Sequence, residues 1–392
     1  MSGKPLAVYL HIPFCVKKCA YCDFLSFPGS PEAASSGVMR QYLDALQREV
    51  KLVQPLLDSR EVATVYFGGG TPSLLPVETL AELLHCILPD PDDGVEATLE
   101  ANPGTVSLNS LSSLRRSGFN RLSLGVQSLR SDELKMLGRI HSAAQAKESV
   151  RQARQAGFSN LSMDFLFGLP GQSRGDLILT LMEALSLEPS HLSLYALSLE
   201  KRTPLAREIA SGRLSLPDDD EVADTYQAAV ELLDGDGFEQ YEISNFAKGQ
   251  SPSPFRSRHN QVYWHYGEYL GLGLGAVSFI EGFRRRNANS LEEYAAVMGT
   301  DLKSVPITAA PAASQTGKRG MAALREEAIL HLRTSDGFAE ADLAARYPKA
   351  FPHFRERLEK LYQDGLIWQE GGRWRLPPAL YFVSNQIFLR LL

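Results

Sequence analysis

The sequence predicts an α/β fold: a parallel sheet with helices packed on one face and polar side chains on the other. Two observations lead there. Apolar strand-like runs near 6–12, 62–67, 95–100, 120–126, 161–167 and 191–197 alternate with helical patterns near 37–57, 77–88, 107–117, 142–157 and 175–187. Six βα units in succession build a parallel sheet with outer helices. The strands also alternate in polarity, whereas parallel strands covered on both faces read as continuous apolar runs. Pattern alone leaves open whether the sheet closes.

Taken in order, the first strand sets Tyr9 and His11 against Leu10 and Ile12, and the third places Glu96, Thr98 and Glu100 on one face. The fourth sets Arg121, Ser123 and Gln127 against Leu122, Leu124 and Val126. The fifth sets Ser162 and Asp164 against Met163 and Phe165, and the sixth Ser193 and Tyr195 against Leu192 and Leu194. Because side chains alternate with period two, one face meets the helices and the other is polar. A curved sheet of this kind is predicted to hold a polar ligand inside. Beyond it, residues 199–250 add helices, with an acidic first turn opening Asp218–Leu233, and 270–279 reads as a glycine-rich turn into a last strand. A Pro/Ala/Ser-rich linker over 305–317 divides a core at 1–304 from a small unit at 318–392. There, three amphipathic helices and a strand, Gly-Gly turn and strand over 365–375 predict a winged-helix-like domain.

The composition is ordinary for a globular chain, 44% hydrophobic and 22% charged over 392 residues. A net charge of −6 leaves no broad basic field for nucleic acid, and the Arg284–Arg286 triplet reads as a solvated patch. No apolar run reaches the roughly 20 residues of a transmembrane helix. No signal or transit pattern opens the sequence, so the cytoplasm is the expected location.

The chemistry concentrates in His11-Ile-Pro-Phe-Cys15-Val-Lys-Lys-Cys19-Ala-Tyr-Cys22. Clustered thiolates are soft ligands that select zinc or iron–sulfur clusters. Structural zinc takes four closed ligands, and the only other cysteine, Cys86, falls in a helical pattern far along the chain. Three buried structural thiols, or a disulfide framework in so long a chain, account for the spacing poorly. Three cysteines on a four-iron cube leave one iron open, and an open metal position is where chemistry occurs.

This cysteine run resembles the signature of the radical S-adenosylmethionine (SAM) superfamily. Further along, Tyr9-x-His-Ile-Pro-Phe-Cys15, Phe67-Gly-Gly-Gly-Thr-Pro72, Gly125-Val-Gln127-Ser, Leu137-Gly-Arg139, Asp164-Phe-Leu-Phe-Gly-Leu-Pro170 and Gly273-x-Gly-Ala276 resemble its coproporphyrinogen dehydrogenase-like group. The resemblance implies a partial (β/α)6 barrel and a [4Fe-4S] cluster on Cys15, Cys19 and Cys22 whose open iron takes SAM. It implies that Tyr9, Gly69, Glu100 and Val277 contact that SAM. By the same resemblance Tyr21, Gly70, Thr71, Gln127, Arg139, Asp164 and Ala196 match a second SAM site.

Within the group, dehydrogenases extend the motif to a fourth cysteine, where this chain has Phe24. That departure, and His259-Asn-Gln-Val-Tyr263, resemble the HemW-type heme chaperones. Imidazole and phenolate both ligate heme iron, and positions four apart on a helix share a face. By that resemblance His259 and Tyr263 are the expected heme residues, with Trp264 and Tyr266 as aromatic surface and Arg256 and Arg258 for the propionates. The resemblance implies heme as ligand and a hemoprotein, of a respiratory chain or elsewhere, as acceptor. The alternatives are an oxygen-independent coproporphyrinogen III dehydrogenase and a radical SAM methyltransferase.

Overall fold

Residues 4–28, 37–92, 94–299, 314–317 and 319–392 are described by a computed structural model. Six strands run in chain order: β1 (Leu6–Ile12), β2 (Val62–Gly69), β3 (Glu96–Ala101), β4 (Arg121–Gln127), β5 (Asn160–Phe167) and β6 (His191–Ala196). Each pairs in parallel with the next. Between them run α1 (Gly37–Asp58), α2 (Val77–Ile87), α3 (Leu108–Arg116), α4 (Ser131–Met136), α5 (Ala143–Gln155) and α6 (Arg174–Leu185). Ser107, Ser142 and Ser173 open α3, α5 and α6 with reciprocal capping boxes, which satisfy N–H groups that a helix start leaves without partners.

Further short elements follow: α7 (Pro204–Ala210), α8 (Asp219–Gly235), β7 (Phe238–Gln240), β8 (Asn245–Lys248), α9 (Arg258–Trp264), β9 (Glu268–Leu272), β10 (Val277–Ile280), β11 (Phe283–Arg286), α10 (Leu291–Gly299) and β12 (Ser314–Gly317). The main sheet has twelve strands in the order β12-β11-β10-β9-β1-β2-β3-β4-β5-β6-β8-β7. Its two ends do not pair with each other, so the barrel is partial. The glycine-rich stretch expected to feed one last strand is flanked by two. β9 adds a seventh parallel strand on the far side of β1, and β10 returns antiparallel to it. No hydrophobic period in 270–279 shows that partner, because it is reached across more than 250 residues of chain.

The helix-facing sides of the strands form one core: Leu122, Leu124 and Val126 pack with Leu111, Leu114 and Val150. A second core gathers Leu324, Phe338, Phe354, Leu358 and Trp374. It is built by α11 (Met321–Leu332), β13 (Phe338–Ala339), α12 (Glu340–Arg346), α13 (Phe351–Gln363), β14 (Trp368–Glu370), β15 (Arg373–Arg375) and α14 (Ser384–Leu389). Gly371 and Gly372, both at positive φ, turn β14 into β15, the expected wing. The predicted linker lies outside the described residues at 305–313, but 314–317 is the edge strand β12, paired antiparallel with β11. Arg284 is not a solvated charge: it pairs with Glu326 at 2.9 Å and covers the Phe279 ring. Among the described residues no helix is long and apolar enough to cross a membrane.

Candidate functional site

The cysteine loop leaves the carboxyl end of β1 and is tied down along its length. Phe14–Cys15 pairs with Phe27–Pro28, the Tyr42 hydroxyl donates to the His11 carbonyl, and Ala20 N donates to Leu137 O at 2.9 Å. The thiols of Cys15, Cys19 and Cys22 are half-buried and line one cavity. Thr71 Oγ1 donates to Cys15 Sγ at 3.7 Å, and Arg139 Nη1 to Cys19 Sγ at 3.2 Å. Burial pushes the Cys15 and Cys22 thiols up, so thiolate there calls for a neighbouring positive charge. Three soft ligands on one short loop, with donors aimed at two of the sulfurs, fit an iron–sulfur cluster.

The cavity measures about 620 Å³ and lies inside the sheet at the carboxyl ends of its strands. It brings together Cys15, Cys19, Cys22, Tyr21, Gly69, Gly70, Glu100, Gln127, Arg139, Asp164 and Ala196. Gly69 has φ +111°, and a Cβ there would lie 2.5 Å from the His11 ring. At Gly70 a Cβ would lie 2.6 Å from the Phe14 carbonyl oxygen. The β2 terminus thus runs against the cysteine loop with no room for side chains. Glu100 accepts from Tyr66 OH at 2.8 Å and Gly69 N at 3.1 Å, and burial pushes its pKa up to about 7. Asp164, also pushed up by burial, accepts from Ser123 at 2.8 Å and Ser162 at 3.1 Å. Arg139 ties the rim together, donating from Nη2 to Asn102 Oδ1 and to Gly125 O, both at 2.5 Å. Gln127 sits at φ +68° where the β4–β5 register shifts, a bulge that ends the strand at the rim.

Three predicted contacts stand behind the wall. Tyr9 packs on Tyr66 with its hydroxyl 3.2 Å from His11 Nδ1. Thr71 is buried beneath Cys15 and accepts from Asn102 Nδ2 at 2.8 Å. Val277 starts β10, with its carbonyl against Gly271. The reading of the rim passed over Asn102, Arg121 and Asn260, which also line the cavity. Arg121 had a signal, a charge on the inward face of a strand. Asn260 stood inside the His259–Tyr263 motif, but its place at the cavity is set by the tertiary fold, which carries α9 into the barrel.

α9 closes the base of that barrel. Ser257 caps it, and the Glu96 carboxylate accepts from Arg258 N and His259 N, both at 2.9 Å. His259 is 1% exposed. Its Nδ1 lies 2.7 Å from Thr64 Oγ1 and its Nε2 2.8 Å from Tyr263 OH, while the ring stacks on Tyr66. His259 and Tyr263 do share a helix face, but His259 turns no free nitrogen toward a flat ligand. Burial holds its pKa down to about 3, so it is neutral. The neighbours expected to meet a porphyrin are engaged as well. Arg256 pairs with Glu239 and with Asp336, Arg258 Nη1 donates to Gly94 O at 2.6 Å, and Arg333 covers the Trp264 ring.

Fold and site together define a radical SAM protein: the Radical SAM superfamily matches residues 9–184, and the HemN C-terminal domain matches 322–379. Along its length the chain is 33% identical over 386 residues to the heme chaperone HemW of Bacillus subtilis, covering 97% of this chain and 98% of that one. It is 36% identical to heme chaperone HemW of Mycobacterium tuberculosis, covering 95% and 91%. The chain belongs to the HemW heme chaperone family. Its fold is that of Escherichia coli HemN, a radical SAM coproporphyrinogen III oxidase, at TM-score 0.81 and 23% identity, covering 99% of this chain and 90% of that one. Membership in the radical SAM superfamily implies a [4Fe-4S] cluster and SAM.

Proposed function

We propose that this protein binds heme and passes it to an acceptor hemoprotein, using a [4Fe-4S] cluster with exchangeable SAM at the cavity. The observation that carries the reading is at the mouth. Where an extended motif would continue with a fourth cysteine, the chain sets Phe24, 68% exposed beside the three cysteines. Relatives of matching length named heme chaperone HemW support the same reading.

In this reading Cys15, Cys19 and Cys22 hold three irons, and the bound cluster supplies an open, redox-active iron for the sulfonium cofactor. Thr71 and Arg139 donate to the sulfurs and stabilise their thiolate character. The closely packed Gly69–Gly70 backbone leaves its ligand side clear, and Glu100 is placed to accept hydroxyls. Arg139 and Asn102 brace Gly125 against the loop. His259 and Tyr263 belong to the heme reading as a coupled pair: an iron bond through His259 Nε2 or the Tyr263 oxygen competes with their mutual 2.8 Å contact. The cytoplasm is the compartment this reading assumes.

Anaerobically reconstituted protein is titrated with hemin, mixed with an apo-hemoprotein, and separately incubated with SAM, reductant and coproporphyrinogen III. A stoichiometric Soret shift, transfer to the acceptor and no protoporphyrinogen are expected. Protoporphyrinogen formation overturns the chaperone reading in favour of the dehydrogenase.

A further inference from the structure

A porphyrin is a broad apolar disc with two propionates on one edge, and the base of the barrel offers it no open face. His259 and Tyr263 are turned to each other there, and His259 is buried. The inner wall of the cavity is polar, with Glu100, Ser123 and Asp164. The mouth differs. Three loops meet at it, and Ala20 ties them: its N donates to Leu137 O and its carbonyl accepts from Leu205 N, both at 2.9 Å. Each loop brings an apolar side chain to the cavity, Phe24 at 68% exposed, Ile140 at 52% and half-buried Leu197. A small apolar cluster of Leu137, Leu166 and Leu169, with Tyr21 and Leu197 packed on it, backs this edge.

Single exposed apolar side chains are ordinary on a protein surface, but several at the edge of one ligand cavity mark a binding surface. The charge at this edge suits the same guest. Lys17 and Lys18 are exposed, adjacent and part of the cavity lining, and Lys18 Nζ donates to Phe24 O at 3.1 Å, which sets an ammonium beside the phenyl residue. Among the described residues neither lysine forms an ion pair. Asp23 and Glu200 also reach the lining, so the mouth is no general trap for anions. An apolar face bordered by two neighbouring ammonium groups matches a disc with two carboxylates on one edge. Among the described residues that line the cavity there is no histidine, so this surface meets the ring rather than the iron through an imidazole.

We propose that heme rests on the mouth of the cavity, its ring against Phe24, Ile140 and Leu197 and its propionates on Lys17 and Lys18. The inference rests on the heme reading above for its ligand, and not on the His259–Tyr263 pair. The porphyrin lies outside the cysteines and leaves the interior to the sulfonium cofactor. A ring held by its face and propionates leaves its iron free for an acceptor to take.

Dissociation constants for hemin, hemin dimethyl ester and metal-free protoporphyrin IX are measured on the reconstituted full chain at equal iron content. The proteins are wild type, Phe24→Ala and the double variant Lys17→Gln/Lys18→Gln, all changed at exposed positions that the cores do not use. Phe24→Ala is expected to weaken hemin by about tenfold, the scale of uncovering one large apolar side chain. The double variant is expected to weaken it by about threefold to tenfold, the range of two exposed ion pairs. The dimethyl ester, which has no carboxylates, should show no loss in the double variant, and protoporphyrin IX should bind wild type within about threefold of hemin, a difference under 1 kcal/mol. Hemin affinity unmoved by either substitution, a lysine effect equal for the ester, or protoporphyrin IX that fails to bind overturns the seat while the heme reading stands. Wild type that binds no hemin sinks that reading, and the seat with it.

Discussion

Glu100 shows how burial turns one side chain into a measurable property. Its carboxyl, raised to about 7 in the folded state from 4.5, keeps its proton where the unfolded chain has lost it. The folded state then binds more protons between those values, so this residue's contribution to stability falls as pH rises from about 4.5 to about 7. His259 and His141, lowered to about 3 and about 4, act in the opposite sense, losing stability as pH falls below 6.5. The prediction is therefore a difference: the stability of wild type relative to Glu100→Gln declines across that window, read by denaturant titration of the apoprotein. A flat difference means the carboxyl is not held raised. At the same scale, Cys19→Ala is expected to abolish cluster assembly, with iron content and visible absorbance as the measure. Arg139→Lys keeps the charge but loses the fork shared by Cys19, Asn102 and Gly125, and the cluster should be lost faster to a chelator.

At the scale of one element, α9 packs His259 and Tyr263 against the base of the barrel. Seven residues form too short a helix to persist alone, so its anchors carry it. Removing the Glu96 carboxylate by Glu96→Ala leaves two α9 N–H groups without acceptors and is expected to cost about 1–2 kcal/mol. His259→Ala strips partners from Thr64 and Tyr263 and opens a cavity beside Tyr66, a loss of roughly 2–4 kcal/mol in unfolding. If His259 also serves heme, a hemin titration of His259→Ala weakens beyond what Tyr263→Phe, which leaves the ring in place, produces. Equal hemin affinity in wild type and both variants would remove the pair from the heme reading. The spacing of His259 and Tyr263 disclosed their shared face; the direction of that face, inward beneath Tyr66, lay in contacts with β2 and β3.

Across the whole molecule, the two cores are joined by apolar packing, with Phe382 against Phe167 and Tyr226, and by polar contacts. Arg256 bridges Glu239 of the main sheet and Asp336 of the C-terminal unit, Ser335 N donates to Tyr241 O at 2.9 Å, and Arg284 holds Glu326. His265 at 3.7 Å and Arg256 at 2.9 Å hold Asp336 down to about 2, a stabilisation present above the ordinary carboxylate range and lost as pH falls toward that value. Asp336→Asn is expected to raise amide exchange across 319–392 while leaving the barrel strands protected. Uniform exchange in both units would mean that this contact does not hold them together.

The sequence by itself determined the six βα units, the inward polar faces, the cysteine loop and the winged unit. Each of these is written in local spacing: periods of two and near four, a glycine pair, three thiols in eight residues. Tertiary structure alone decided that β9 joins β1 from more than 250 residues away, that α9 packs His259 and Tyr263 inward at the base of the barrel, and that Arg121 meets the cavity. Those outcomes depend on which distant groups arrive at one place and satisfy one another's hydrogen bonds, and such pairings leave no period in the chain.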